Sequence, residues 1–428
     1  MGILIGFGLV AFALLGGALF VLLGGATIIG FAAANEPINV ILIEINRLTK
    51  HTTIIIIPLF TLAGYIIAEG KAPQRLVAFA RASVGWLPGG IAIVVLVTCA
   101  FFTTFTGASG VTIIALGGLV YPILRQTYNE NFSLGLITAS GSIGLLFPPS
   151  IPLILYAIIA EVPIDAMFFA GIIPGIIILV ILSSYCSGWS LFKKTETTPF
   201  NWEEFLRTLW DAKWELLLPF LVLGGILTGF VSLDEVAALT VIYVCIVEMC
   251  IHKSFSVKAL PRLVKESMVL VGAILIILAM ALALTNYLIT LGVPDMVLDW
   301  ITSITDNKII TLIGLNVFLL IVGCMMDIFS AIVIIVPLLL PMADALGIDK
   351  VHLGVIVLTN LEIGYLTPPI GMNLFISSMK FKKSVVLLYR SVLLFIGLLL
   401  IALILVTYIP DLSLWLPKVL GKVSEPLF

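Results

Sequence analysis

Charge is what this sequence has least of. Of 428 residues only 11% are Asp, Glu, Lys or Arg, against 61% hydrophobic residues, and the mean hydropathy is +1.24. Twenty-two basic residues against 24 acidic ones give a net charge of −2. The chain therefore lacks the basic surplus that holds nucleic acid, and no nucleic-acid partner is expected. Three histidines, His51, His252 and His352, stand alone at the ends of apolar runs, where surface positions are expected. Five cysteines, Cys99, Cys186, Cys245, Cys250 and Cys324, are odd in number and lie singly in apolar segments. That spacing excludes a paired zinc site or a disulfide framework and predicts buried thiols. No G-x-x-x-x-G-K-[ST] loop is present, because Gly70-Lys71 is followed by Ala. Uphill movement would therefore draw on an ion gradient rather than on ATP. No His, Ser or Asp constellation for intramembrane catalysis is seen, so an enzyme is not expected.

What remains is apolar sequence, in runs of about 20 residues that match the ~30 Å hydrocarbon core of a bilayer. The fold expected is all-α and polytopic. The opening MGILIGFGLVAFALLGGALF has neither a basic leader nor a cleavage site and reads as a retained span. The segment 37–50, PINVILIEINRLTK, reads as a short span or an interfacial helix.

One pattern organises the whole chain. Ile143-Gly144-Leu145-Leu146-Phe147-Pro148-Pro149 lines up with Ile363-Gly364-Tyr365-Leu366-Thr367-Pro368-Pro369. Each copy sits in an apolar segment (about 134–160 and 351–379), preceded by another (about 88–125 and 308–345) and followed by a third (about 167–192 and 385–409). The chain is an internal repeat. Lys71, Arg75 and Arg81 precede the first set, whereas Asp295, Asp299 and Asp306 precede the second; Glu161 and Asp165 follow the first proline pair, whereas Lys380, Lys382 and Lys383 follow the second. By the positive-inside rule the copies face opposite ways, as inverted-topology repeats. The expected division is 1–192 for the first repeat, 193–213 for a cytoplasmic amphipathic connecting helix rich in Trp, and 214–428 for the second, with spans at about 214–231, 235–251 and 266–290.

The segments before the proline pairs carry polar, glycine-bearing patches at their middles, TTFTGASG (103–110) and GCMMDIFS (323–330). Loops of like charge flank each, so each is expected as a re-entrant hairpin. Proline donates no N–H and displaces the carbonyl four residues back, which frees the oxygens of Gly144 and Leu145 in one copy and of Gly364 and Tyr365 in the other. In hydrocarbon an unpaired carbonyl costs several kcal/mol, and a hard monovalent cation is one partner that satisfies it. Asp327 is either a cation or proton group or a cap at the second hairpin tip. Glu362 reads as part of a structural network. Ser140, Ser142, Asn360 and Asn373 supply polar groups for an organic substrate, and the positive N-termini of half-helices at the tips favour an anion.

At TGASG, GLLFPPS and EIGYLTPPIGMNLF the chain resembles the large membrane subunit of the tripartite ATP-independent periplasmic (TRAP) transporters, the DctM-like family, over nearly its whole length. The resemblance implies an elevator-type secondary transporter in a bacterial inner membrane, importing a small organic anion such as a C4-dicarboxylate, sialic acid or a sulfonate. It implies as partners a small four-helix membrane subunit and a periplasmic substrate-binding protein. It also implies two Na+ sites where each hairpin meets its broken helix. One maps onto Thr106, Gly107, Ser109, Gly144, Phe147 and Pro149, the other onto Gly323, Gly364, Thr367 and Ile370 with Asp327 close by. The tip TGASG departs from the G-x-S-G-S-like pattern of many members. A self-sufficient sodium- or proton-coupled carboxylate symporter is the alternative reading.

Overall fold

The computed structural model describes residues 18–34, 37, 39–50, 52–194, 199–228, 231–293, 296 and 307–422. The opening 17 residues, and with them most of the expected first span, lie outside this set, as do Asp295, Asp299 and Asp306. All regular elements among the described residues are helices. The first four are α1 (Leu19–Ala33), α2 (Asn39–Lys50), α3 (Ile56–Glu69) and α4 (Ala72–Val84). The 12 residues of α2 rise only about 18 Å at 1.5 Å per residue, too little to cross a bilayer, and Leu42 and Ile43 on it are exposed. Between α3 and α4 the chain turns by 74° at Gly70-Lys71.

The first hairpin is α5 (Gly90–Thr106) and α6 (Ser109–Thr127), packed against each other. Its turn depends on Gly107, whose φ of +61° is left-handed backbone that favours glycine. The first broken helix is α7 (Glu130–Ser140), a 3₁₀ turn (Ile143–Leu146) and α8 (Ile151–Ala160), bent by 44°. Asn129 caps α7 by accepting from the Phe132 N–H. Next comes α9 (Ile164–Lys193). The expected surface helix and the span after it prove to be one helix, α10 (Trp202–Thr228), because no breaker separates WEEFLRTLWDAKWEL from the apolar stretch that follows. Next are α11 (Leu233–Cys245), entered through a reciprocal Ser232–Glu235 capping box and extended by a π turn to Ile251, and α12 (Leu260–Thr290). The second hairpin is α13 (Lys308–Met325) and α14 (Ile328–Ala345). The second broken helix is α15 (Lys350–Gly364) and α16 (Met372–Phe381), and α17 (Val385–Tyr408) and α18 (Asp411–Val419) complete the chain.

The contacts reproduce a two-fold relation between the halves. α6 lies on α16 as α14 lies on α8; α5 packs on the first break as α13 packs on α15; and α7 meets α17 as α15 meets α9. The broken helices run antiparallel. The Tyr156 hydroxyl near the end of α8 donates to Lys350 O at the start of α15, while Lys383 beyond α16 pairs with Glu130 at the start of α7. Among the described residues six helices are long and apolar enough to cross a membrane, and eight if each bent pair counts as one span. The fold is thus an all-α polytopic membrane fold of two inverted repeats, each with a re-entrant hairpin and a broken helix.

Two expectations about single residue types are corrected. His352 is buried, its ring nitrogens bonded to the Ser413 hydroxyl at 2.7 Å and Thr407 O at 3.3 Å, because α18 folds back over the start of α15. Cys99, Cys186 and Cys324 are buried, but Cys245, packed at the edge of the core, is half-buried and Cys250 is exposed.

Candidate cation and substrate sites

In the first half the tip of the hairpin is sewn to the break by threonines. Thr103 Oγ1 lies 2.9 Å from Gly141 O and 2.7 Å from Thr112 Oγ1, and Thr104 Oγ1 reaches Gly144 O at 3.3 Å. A Cβ at Gly144 would fall 2.2 Å from Ala100 O, so glycine is what allows the break to touch α5. Gly144 O also accepts from Phe147 N at 3.1 Å. The Phe147 ring lies over Gly175, and Pro148 and Pro149, joined by a cis peptide, are buried. Thr106 Oγ1 makes only long contacts, 3.4–3.5 Å, to Thr103 O, Ala108 O and Thr112 Oγ1. The buried Ser150 hydroxyl has no partner.

In the second half Gly323 and Gly364 face each other; a Cβ on Gly364 would sit 2.6 Å from Gly323 Cα. Gly371 N donates to Cys324 O at 3.1 Å, and the Ile328 N–H donates to the Tyr365 hydroxyl, pinning the second tip to the break. Thr367 Oγ1 donates to Ile363 O at 2.9 Å. Pro368, Pro369 and Ile370 are exposed, unlike the buried first pair, and the Pro368–Pro369 peptide is also cis. Asp327 is the N-cap of α14: one oxygen accepts from Ser330 N at 3.0 Å and the other from the Ser330 hydroxyl.

The expectation that the prolines leave bare carbonyls needs correction. Gly144 O has Phe147 N and Thr104, Gly364 O has Thr367 N at 2.9 Å, and Tyr365 O has Asn373 N at 3.2 Å. Gly144 O thus accepts two bonds, one from a short-range turn and one from the facing hairpin, while Gly364 O and Tyr365 O accept one each and keep a second lone pair to offer.

The four polar residues expected at a substrate each have their own hydrogen-bond partners. All are fully buried. Asn360 donates to Asn316 Oδ1 at 2.8 Å, and Asn316 in turn reaches Thr407, so Asn360 joins α15 to α13 and α17. Ser140 and Ser142 bond back to Ile137 O and Ala139 O. Asn373 crosses between the repeats, its Oδ1 accepting from Ser109 Oγ at 2.7 Å; nearby, Thr138 donates to Ser377 at 2.9 Å. Glu362 is not in the network expected for it. Neither carboxylate oxygen has a hydrogen-bond partner, and the side chain that faces it is Ser142, its counterpart in the other repeat.

Sequence reasoning missed Ser150, Thr103, Thr104, Thr112 and Tyr365. The threonines lay in or beside the quoted polar patch, and Ser150 ends GLLFPPS. For Tyr365 the signal was the mismatch with Leu145 in the repeat. Between the first hairpin, the first break and α9 and α10 lies a cavity of about 260 Å³, walled by Phe101, Thr104, Phe147, Ile172 and Leu223 among others.

Inverted repeats, paired hairpins and paired helix breaks lined with oxygen donors define a secondary transporter of the membrane. Residues 2–412 match the family model of the tripartite ATP-independent periplasmic transporter, DctM component, and the chain belongs to that family. It is 33% identical over 400 residues to the C4-dicarboxylate TRAP transporter large permease protein DctM of Pseudomonas aeruginosa, with 93% of each chain covered. It is 34% identical over 393 residues to the isethionate TRAP transporter permease protein DctMQ of Oleidesulfovibrio alaskensis, covering 91% of this chain and 62% of that longer one. Among solved structures, the Alcanivorax borkumensis YdaH transporter has the same fold, with TM-score 0.62 and 14% identity over 90% of this chain and 89% of that one. The chain is a TRAP large permease subunit of the inner membrane, a transport protein rather than an enzyme. Such subunits work with a small membrane subunit and a periplasmic binding protein.

Proposed function

We propose that this subunit imports a small organic anion by coupling it to two sodium ions, with hairpins and broken helices moving together as an elevator against the remaining helices. The reading rests above all on the repeat-related meeting of each hairpin tip with a helix break. The donor sets there are hydroxyl and carbonyl oxygens, which suit a hard cation. At the first site Thr106 Oγ1 is held only by long contacts and the buried Ser150 hydroxyl has no partner, as ligand groups would be in wait for an ion. Gly107, Gly144, Phe147 and Pro149 shape that site, with Ser109 beside it; Gly323, Gly364, Thr367 and Ile370 shape the second. Asp327 acts there from its capping position. Sodium bound at a site stabilises the tip against the break, and the substrate gains affinity to the same extent that sodium does.

An anion is favoured because curated relatives are named for C4-dicarboxylates, isethionate, ectoine and sialic acid, each of which carries a carboxylate or sulfonate. The partners are the small four-helix subunit and a binding protein that delivers the acid. In proteoliposomes holding the permease pair, uptake of acid presented by the binding protein is expected only with a sodium gradient. Undiminished uptake with potassium replacing sodium on both sides would refute the coupling, and full uptake without the binding protein would favour a self-sufficient symporter.

A further inference from the structure

We infer that His252 is a proton-binding site on the cytoplasmic side, and that a proton there tightens the hold of α10 and α11 on α4, the helix that leads into the first hairpin. The consequence for uptake rests on the elevator reading above; the site itself does not. Arg75, in the first turn of α4 just past the 74° bend, bonds both Glu215 on α10 and Glu248 in the π turn after α11. The short basic connection that holds Lys71 and Arg75 places this cluster at the cytoplasm. Its carboxylates are 2% and 1% exposed, so water does little to screen them. One guanidinium against two carboxylates leaves a surplus negative charge, and Glu215 Oε2 and Glu248 Oε2 are buried without a partner. Glu248 also touches the bend itself, because a Cβ on Gly70 would fall 2.3 Å from Glu248 Oε2. A buried charge left uncompensated is costly, and a second cation is what the cluster lacks.

His252 stands where that cation is wanted. Its Nε2 lies 3.6 Å from Glu215 Oε1 and has no hydrogen-bond partner. Backbone fixes its position: His252 N donates to Val247 O and Ser254 N to Glu248 O, both at 2.8 Å, closing the π turn that also carries Glu248. The ring is 18% exposed and lines an open cavity of about 430 Å³ with Lys71, Gln74, Thr208 and Asp211, so protons reach it from the cytoplasm. Charged groups approach the ring from three elements. α4 brings Arg75, with the exposed Lys71 just before it; α10 brings Glu215 and Asp211; the π turn brings Glu248, with the exposed Lys253 after the ring. Lys213 on α10 is taken up elsewhere, 3.3 Å over the Trp210 ring, and Glu69 and Arg262 pair with each other. Among these side chain types imidazole is the one that ordinarily changes charge between about pH 5 and 8. A proton on it meets the surplus carboxylate, so the closed cluster gains stability as the pH falls through that range and loses it as the pH rises.

The elevator carries the first hairpin with α4 behind it, so a tighter cluster slows uptake when the cytoplasm is acidic. The test uses this chain with its small subunit. Melting of the purified pair is followed at about pH 6 and about pH 8, either side of the ordinary imidazole range. Wild type is expected to gain thermal stability over His252→Gln at the lower pH. Glu248→Gln, which removes the surplus carboxylate, is expected to abolish that gain although the histidine is present. Uptake is measured in proteoliposomes with the medium held near neutrality and the lumen at about pH 6 or about pH 8. Binding protein added outside engages only molecules whose periplasmic face is outward, so the lumen is their cytoplasmic side. The acid is whichever of succinate, isethionate, N-acetylneuraminate and ectoine the binding protein takes up. Acidifying the lumen is expected to slow wild-type uptake by about five-fold, the factor of one partly buried charge pair, and to leave His252→Gln nearly unaffected. Where His252→Gln does not fold, His252→Asn is measured in its place. An equal melting response in wild type and the histidine variant overturns the proton site, and so does a histidine response that survives Glu248→Gln. A melting response with no change in uptake overturns the brake on α4 and counts against the elevator reading, while the proton site stands.

Discussion

At the scale of single residues, the glycines of the two breaks are set by what lies across from them. A methyl at Gly144 or Gly364 would press on the facing hairpin's backbone, 2.2 Å from Ala100 O or 2.6 Å from Gly323 Cα. Neither contact is a flexible side chain that can swing away, so the hairpin itself must move. Gly144→Ala and Gly364→Ala are each expected to lower sodium-dependent uptake by about ten-fold or more, the effect of a ~1 Å displacement at a site. Gly272→Ala and Gly397→Ala, where a Cβ meets nothing within 4 Å, are expected to transport as wild type. Equal effects at all four positions would show that the close approach is not what glycine provides. Asp327 is the second residue whose local geometry frames a test. As an N-cap its geometry is reproduced by asparagine, so Asp327→Asn is expected to keep thermal stability and Asp327→Ala to lose about 1 kcal/mol. If the carboxylate charge were what mattered, Asn and Ala would fail alike in the uptake assay.

At the scale of elements, the α3–α4 bend is held by charge beneath the surface. Arg75 on α4 is 13% exposed and bonds Glu215 on α10, 2% exposed, and Glu248 in the π turn after α11, 1% exposed; His252 lies 3.6 Å from Glu215. Two carboxylates share one guanidinium, and one oxygen of each has no partner. Removing the cation strands both anions, so Arg75→Gln is expected to cost about 3–5 kcal/mol. Glu248→Gln reduces the excess negative charge and is expected to cost far less. A melting series of the two variants orders them, and a reversed order would mean that the cluster's charges are not what binds α4 to α10 and α11. The surface pair Glu130–Lys383 joins the two repeats but is about a third exposed at each end, so breaking it is expected to leave the melting temperature nearly unchanged.

At the scale of the molecule, the elevator reading separates contacts within the moving body from contacts across its edge. Thr138 and Ser377 touch within that body. A disulfide between cysteines placed there, in a cysteine-free background, is expected to leave transport intact. Phe101 and Leu223 both line the 260 Å³ cavity, one on the hairpin and one on α10. Cysteines there bridged by a bifunctional reagent are expected to stop uptake, with release on reduction if the reagent is cleavable. Transport through that bridged pair would place α10 in the moving body.

The sequence by itself determined the repeat, because two proline pairs at matching places cannot hide in helical segments, and it determined the hairpins, because polar glycine-bearing patches stand out in apolar runs. Only the tertiary structure decided how the freed carbonyls at Gly144, Gly364 and Tyr365 are repaired, since the donors come from 3₁₀ turns, a facing helix and a residue beyond the break. It alone distinguished the two tips. Ala108 and Asp327 carry that difference, and Asn373, 264 positions along the chain from Ser109, folds back against the uncapped tip. Periodicity and composition report which surface of a helix is apolar; which polar groups meet inside is set by long-range packing, which local sequence does not encode.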